Sequence, residues 1–356
     1  MRSGPVKSGP VSSARTRVAT VLVALAAALI VGMVVSAVIG QLDVAPRAVV
    51  GTLLDRLGFD TSWRPDDLVA DALWFIRMPR VVMSLLVGVA LAVAGVMMQA
   101  VFGNPLAEPG VVGVSAGAAL GGAIAIAAGW TIGGGWAVAL SAFVTGLIAT
   151  VFVYTTARRE GRTEVVTLLL TGIAVNAFAG AGLALALFAG DTGTREQIVF
   201  WQLGSINGTR WIEVLPVAVV AVVGTAFALT VARRYDVLAL GERAATHLGV
   251  RVEPLRVASM VFIALLTGVA VAFTGIIAFV GLVVPHAVRM LVGPGHRVLV
   301  IGSALAGAVL LVWADVLART LVDGSDLPIG LLTSLIGGPF FLHLVRRARS
   351  RSGGWA

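Results

Sequence analysis

The chain has 356 residues, of which 58% are hydrophobic and only 12% are charged, and its mean hydropathy is +0.98. Such a composition leaves too little polar surface for a soluble globule and places the chain in the integral membrane class. The chain contains no cysteine, and its only lysine is Lys7. Disulfides, thiolate metal sites and a G-x-x-x-x-G-K-[ST] nucleotide loop are therefore excluded, so the chain does not hydrolyse ATP itself.

The N-terminal segment 1–17 is rich in Gly, Pro, Ser and charged residues, which predicts a disordered tail. The apolar run that follows, from Val18 to Gly40, is longer than the core of a signal peptide and lacks a convincing small-residue cleavage site. We interpret this run as a retained first span, with a cleaved signal peptide as the alternative.

Apolar windows of about 20 residues, the length that crosses a bilayer, recur along the chain. They predict an all-α integral membrane domain over 18–346 with about ten transmembrane helices, followed by a polar tail over 347–356. The seventh and eighth spans are separated only around Thr274 and Gly275. The predicted spans are 18–40, 81–101, 111–130, 136–157, 164–189, 211–232, 257–273, 275–292, 298–318 and 328–345.

Ten crossings would place both termini on one side of the membrane. That side carries 18 of the 26 Lys and Arg residues, so the positive-inside rule predicts that both termini, and both polar tails, are cytoplasmic. The net charge of +8 is explained by these loops and needs no nucleic-acid partner. On the opposite side, the loop 41–73 is too short for a domain and suits a short interfacial helix anchored by Trp63 and Trp74.

One internal repeat is visible in the sequence. The pattern L-L-x-G-V-A-x-A-x-x-G occurs at 85–95 and again at 265–275, and Pro105 and Pro285 keep the same offset. The two spans run in opposite directions in the predicted topology, as inverted repeats do in transporters. Chance similarity is the competing explanation, because the chain is rich in Ala, Gly, Leu and Val.

Four stretches occur in order over most of residues 70–346 and carry a resemblance to a known family. They are RMPRVVMSLLVGVALAVAGVMMQAVFGNPLAEPGVVGVSAG (77–117), LGERAATHLGV (240–250), GIIAFVGLVVPHAVRMLVG (275–293), and the run from Asp315 to Phe341 with DVLAR, DLPIG and GGPFF. Together they resemble the ABC importer permeases for iron-siderophore, haem and cobalamin, the type II importer family.

The resemblance implies a permease subunit and not an enzyme, with 18–346 as the transmembrane permease domain and with no catalytic residue, metal or cofactor. It implies three partners: an ATP-binding ABC subunit dimer, an extracytoplasmic substrate-binding protein, and a second permease copy or a homologous permease. It also implies the bacterial plasma (inner) membrane. The implied cargo is a bulky iron chelate, in the first place a ferric siderophore, with haem or cobalamin as the alternative.

Three arginines, Arg77, Arg80 and Arg319, lie at the predicted outer ends of the second and ninth spans. Charge near the membrane is costly and needs a reason. The resemblance assigns them to docking of the binding protein, whose carboxylates a guanidinium binds bidentately. The alternative is interfacial snorkelling or a local pair between Asp315 and Arg319.

A cytoplasmic gate is implied at the break after the second span. Asn104 and Leu106 flank a proline there, and Pro109 follows, so the backbone cannot be a continuous helix. By resemblance Asn104 and Leu106 belong to the gate, and Thr171 at the start of the fifth span belongs to its other half. The alternative is a plain turn between spans.

The cytoplasmic segment 233–256 has apolar residues at helical spacing and is predicted to form two short coupling helices, interrupted by glycines. The resemblance makes it the part that docks into the ATPase subunit, a helix-in-groove contact. An unexplained amphipathic patch is the alternative. The matching residues are Leu240, Gly241, Glu242, Ala244, Leu248 and Gly249.

Two other classes of protein remain as rivals. A proton- or sodium-coupled carrier normally places carboxylates within spans, and Glu213 and Asp315 both lie near span ends. An intramembrane enzyme would need His286 and Arg289 to meet Asp315, which the predicted topology puts near the opposite face. The four histidines are not spaced as a metal site, and we expect none.

Overall fold

The computed structural model describes residues 11–40, 44–59, 61–130, 135–322 and 324–351. It is a helical bundle with one small hairpin, in which the two-residue strands β1 (Arg158–Arg159) and β2 (Arg162–Thr163) pair antiparallel. The helices are α1 (Val11–Val38), α2 (Pro46–Arg56), α3 (Asp67–Ala72), α4 (Met78–Phe102), α5 (Val114–Ala127), α6 (Trp136–Thr156), α7 (Val165–Ala189), α8 (Thr192–Gln202), α9 (Trp211–Leu238), α10 (Glu242–His247), α11 (Val252–Thr274), α12 (Val280–Val292), α13 (His296–Thr320) and α14 (Ile329–Arg351). A π-helical turn, Leu73–Arg77, precedes α4, and a 3₁₀ turn, Pro109–Val112, precedes α5.

The all-α integral membrane prediction is confirmed. Within the described ranges, seven apolar helices are long enough to cross a membrane, in α1, α3–α4, α6, α7, α9, α11 and α13. Three shorter apolar helices, Val114–Ala127, Val280–Val292 and Ile329–His343, coincide with the remaining predicted windows. The number of crossings stays a prediction, because the shorter helices have fewer residues than a full span.

Helix α4 forms the centre of the bundle and packs against α9, α11, α12 and α13. Its glycines bring backbones into direct contact: a Cβ on Gly88 would lie 2.2 Å from the Gly307 carbonyl oxygen, and one on Gly95 would lie 1.9 Å from that of Gly281. Small residues are the means by which helices associate closely in lipid, where hydrophobicity provides no drive. Helices α4 and α13 run antiparallel, so Arg80 meets Asp315 at one end of the bundle, which we call the Arg80 end.

Helices α1, α7 and α9 leave large apolar side chains exposed, including Val23, Phe178, Phe188 and Leu215. On a membrane protein such faces contact lipid or another subunit.

Several expected boundaries differ from the structure. Helix α1 begins at Val11, so residues 11–17 of the expected N-terminal tail are helical, and the rest of that tail lies outside the described residues. Likewise α14 continues to Arg351, into the expected C-terminal tail, whose last residues are also outside the described part. Helix α8 was not predicted at all. The loop 41–73 contains two helices where one was expected, and Trp74 packs on Trp211 with ring centroids 5.1 Å apart.

The backbone is not helical at two places inside the bundle. After α4 the chain turns at Gly103, which has a φ of 58°, and reaches α5 only at Val114. Helix α11 ends at Thr274, and α12 starts after Phe279, a non-glycine residue with a φ of 67°. Left-handed backbone in a phenylalanine is strained and persists only where its surroundings hold it.

Candidate functional site

Arg80 lies in the first turn of α4 and is held by two carboxylates. Its guanidinium contacts Asp315 at 2.9 Å and Asp326 at 2.7 Å, and it donates to the Asn207 side-chain oxygen at 3.2 Å. The Arg80 side chain is 10% exposed and that of Asp315 is 1% exposed. A buried guanidinium is tolerable only with such compensation.

Arg77 and Arg319 bind the end of α1. Arg77 donates to the carbonyl oxygens of Ala37 and Val38, each at 2.7 Å. Arg319 donates to the Ser36 hydroxyl at 2.7 Å and lies 3.4 Å from an Asp315 carboxylate oxygen. The last carbonyls of a helix have no partner within it and carry partial negative charge, so cations stabilise this end.

The structure therefore places all three predicted docking arginines in the interior of the Arg80 end, with partners inside the chain. The local pair between Asp315 and Arg319, the alternative considered above, is present. Asp315 lies near a span end, as expected, but it is also buried, since its carboxylate pairs with Arg80 of α4 and with Arg319 one turn later in α13. Docking of a binding protein stays a prediction for Arg77, Arg80 and Arg319.

The candidate gate segment follows α4. The Asn104 side-chain oxygen accepts a hydrogen bond from the Leu106 backbone N–H at 2.9 Å, which closes a local turn. Asn104 is exposed and Leu106 is half-buried. Helix α7 touches the same segment, since a Cβ on Gly172 would lie 2.1 Å from the Val111 carbonyl oxygen. Thr171, next to that contact, thus lies beside the segment, while its gate role stays a prediction.

Glu108 is a half-buried acid that the sequence reasoning missed. Its carboxylate accepts a hydrogen bond from the Phe279 N–H at 3.1 Å, which ties the gate segment to the start of α12. Burial raises the pKa of the Glu108 carboxyl, and the Phe279 hydrogen bond opposes that rise. Glu108 stands between Pro105 and Pro109, in the break and outside the predicted spans. An acid inside such a proline-bounded break is the signal that could have found it.

Phe279 also explains the first of two adjacent glycines in α14, Gly337 and Gly338. A Cβ on Gly337 would lie 2.4 Å from the Phe279 Cβ, so only glycine allows α14 to approach this closely. Gly338 has no neighbouring atom within 4 Å at that position. The strained residue is therefore held on two sides, by Glu108 and by α14.

The predicted coupling segment lies at the opposite end of the bundle. It forms one short helix, α10, and not the two expected, because Gly241 (φ 102°) and Gly249 (φ 83°) bound it on both sides. Leu240 and Leu248 are 68% and 64% exposed, and Ala244 is half-buried. The single apolar face that was predicted is thus divided, with its inward part formed by Leu238 and Ala245.

Glu242, the first residue of α10, forms an ion pair with Arg256 of α11. Elsewhere at this end, Asp236 accepts from both the backbone N–H and the ring of His296, at 2.8 and 2.7 Å, and so caps α13. Among the described residues no group of three or more His, Asp or Glu could hold a metal ion.

Long apolar helices that pack around a centre where glycines let backbones touch, with two non-helical breaks inside the bundle, are typical of a multi-pass membrane permease. The FecCD transport family matches residues 28–347, and the chain belongs to this family. Members of this kind are ABC permease subunits, which are not enzymes, and ATPase activity lies in a separate subunit.

Three of the similar relatives illustrate the functions named in this family. The hemin transport system permease protein HmuU of Yersinia pestis is 40% identical over 84% of this chain and 90% of its own length. The cobalamin import system permease protein BtuC of Halobacterium salinarum is 42% identical over 78% and 74%. The Fe(3+)-citrate import system permease protein YfmD of Bacillus subtilis is 36% identical over 84% and 88%.

A solved structure is also similar. It is described as an inward-facing conformation of a metal-chelate type ABC transporter, with a TM-score of 0.79 and 31% identity. The match covers 92% of this chain and 99% of that chain.

Proposed function

We propose that this FecCD permease carries ferric siderophores into the cell, as a dimer with a second copy or with a homologous permease. The observation that carries the proposal is the pair of exposed leucines on either side of α10, Leu240 and Leu248, at the end of the bundle that holds the basic loops. These exposed leucines, next to glycines with positive φ, form an apolar surface at the ends of a short helix. Such a surface suits a helix-in-groove contact with an ATPase subunit.

The choice of cargo is supported by the named relatives. Fe(3+)-citrate is an iron chelate of oxygen ligands, as ferric siderophores are, and the relative named for it covers 84% of this chain. Haem or cobalamin is the alternative cargo, favoured by the 40% and 42% identical relatives. All of these cargoes are bulky chelates, and no residue of this chain is assigned to bind the metal.

The proposed partners act at opposite ends of the bundle. The ATPase dimer binds α10 in the cytoplasm, where both termini also lie, and an extracytoplasmic binding protein docks at the Arg80 end. The chain resides in the bacterial inner membrane. Arg77, Arg80 and Arg319 then have two tasks, since they fix the end of α1 to α4 and α13 and give the docking face its positive field.

Transport is alternating access. ATP binding closes the ATPase dimer and moves α10, and the segment with Asn104 and Leu106 exchanges between closed and open arrangements against α7 near Thr171. The tie between Glu108 and Phe279 supports this role, because it lets the segment move together with the start of α12.

The test is uptake of labelled ferric siderophore, haem and cobalamin, side by side, in a strain lacking this gene and in the complemented strain. Restored uptake of the ferric siderophore alone supports the proposal. Restored uptake of haem or cobalamin alone would show that the alternative cargo, and not the ferric siderophore, is transported. No restored uptake of any of the three, with the protein present in the membrane, would remove the proposal.

A further inference from the structure

A chain of polar contacts starts at the coupling helix and runs inward. Arg256 of α11 is 6% exposed and pairs with Glu242, the first residue of α10. Its other guanidinium nitrogen lies 4.0 Å from a carboxylate oxygen of Glu253, one turn earlier in α11. A buried arginine between two acids fixes the position of α10 on α11.

Glu253 extends this chain to the connection between α6 and α7. Its carboxylate accepts from the Tyr154 hydroxyl at 2.9 Å, from the Thr163 hydroxyl at 2.5 Å and from the Thr163 N–H at 3.3 Å. Tyr154 lies in the last turn of α6, and Thr163 is 8% exposed and stands two residues before Val165, where α7 begins. Three donors on one carboxylate make this a strong anchor.

The packing shows why such a link matters. The main packing partners of α10 are α9 and α11, whereas α7 packs on α5, α6, α8 and the Pro109–Val112 turn. The two helices thus share no main partner, so a displacement of α10 reaches α7 through α11, which packs on both α5 and α6. At their common end, α11 and the α6–α7 connection are joined by the Glu253 carboxylate.

We propose that Glu253, with Arg256 and Thr163, is a positioning relay that transmits the movement of α10 to α7 and so to the gate beside Thr171. The inference rests on the proposed function, because that function supplies both the ATPase that moves α10 and the gate that the movement must reach. In such a relay, each displaced helix moves the next one. The evidence for it is a measured energetic coupling between the two ends.

The sharpest test uses two variants of Thr163 in the complete transporter, reconstituted in liposomes with its ATPase and binding protein. Thr163→Val keeps the branched shape and removes the hydroxyl donor, whereas Thr163→Ser keeps the donor and removes a methyl group. The relay predicts that Thr163→Val lowers uptake per ATP hydrolysed by about tenfold and that Thr163→Ser keeps it. A packing role for Thr163 predicts the opposite order, which would overturn the proposal.

Glu253→Gln tests the charge, and Asp236→Asn is its matched control. The Asp236 pair with His296 lies at the same end of the bundle and joins α9 to α13. We expect Glu253→Gln to lose coupling while ATP hydrolysis persists, and Asp236→Asn to retain coupling. Equal losses in both variants would indicate general loosening of this end and would overturn the relay.

A labelling readout reports on α7 directly. The chain has no cysteine, so Ile173→Cys, at a position 62% exposed on α7, introduces a single reactive thiol. Its maleimide labelling rate should change on ATP binding, and Thr163→Val should abolish that change. An unaltered ATP response in Thr163→Val contradicts the relay, provided the wild-type complex imports. A wild-type complex that imports nothing would remove the proposed function and the relay with it.

Discussion

Replacement of Arg80 by methionine should destabilise the protein by about 3 kcal/mol, near the lower limit for breaking a buried ion pair. The loss leaves Asp315, 1% exposed, without its contact at 2.9 Å. Arg319 remains 3.4 Å from the other Asp315 oxygen and limits the penalty. Asp326 is 32% exposed and is partly compensated by water, so its lost pair should add less than about 1 kcal/mol.

The assay is denaturant unfolding of the purified protein in detergent, with Arg210→Met as the matched control. Arg210 pairs with Glu213 on the surface and its side chain is 52% exposed, so its loss should cost at most about 1 kcal/mol. Equal destabilisation by the two variants would refute the argument from burial.

A double variant separates stability from docking. Arg80→Met combined with Asp315→Leu removes the unpaired carboxylate as well, and most of the lost stability should return. Binding-protein affinity is then measured on this stable protein. Weakened docking would support the predicted role of Arg80, and unchanged docking would leave it as a structural residue only.

Three further outcomes are expected. Leu248→Asp should uncouple ATP hydrolysis from uptake in liposomes, because it would place a carboxylate in the proposed apolar contact with the ATPase, and Leu248→Met should keep both activities. Gly95→Ala should lower stability by about 1–3 kcal/mol in the same unfolding assay, whereas Gly180→Ala, with no atom within 4 Å, should not. Glu108, whose pKa is raised by burial, binds its proton more tightly when folded, so stability should fall as pH rises from 4.5 towards the raised value; Glu108→Gln should flatten that dependence.

The apolar windows predicted the helices well, because a span is a continuous run of apolar residues and needs no knowledge of its neighbours. Helix α8 escaped this reasoning because it is amphipathic and short, and is fixed by the Asp191 cap, whose carboxylate accepts from the Thr194 N–H at 2.7 Å. A helix of this kind is defined by its cap and by packing, not by hydropathy.

The site was predicted less completely, for a physical reason that the arginines make clear. Sequence alone could suggest the pair between Asp315 and Arg319, which are one helical turn apart, but Arg80 meets Asp315 across 235 residues. Glu108 likewise finds its partner, Phe279, across 171 residues. Such partners follow from the packing of α4 against α13 and α12, and the local sequence pattern does not predict that packing.

These contacts also indicate which parts of the permease move together. Helices α4 and α13 meet at Gly88 and Gly307 without room for a methyl group, and the buried cluster around Arg80 fixes their register. Backbones in direct contact cannot slide past one another without a collision, so we expect α1, α4 and α13 to move as one rigid body. The proposed alternating access is then left to the non-helical segments after α4 and before α12, and to α7 beside them.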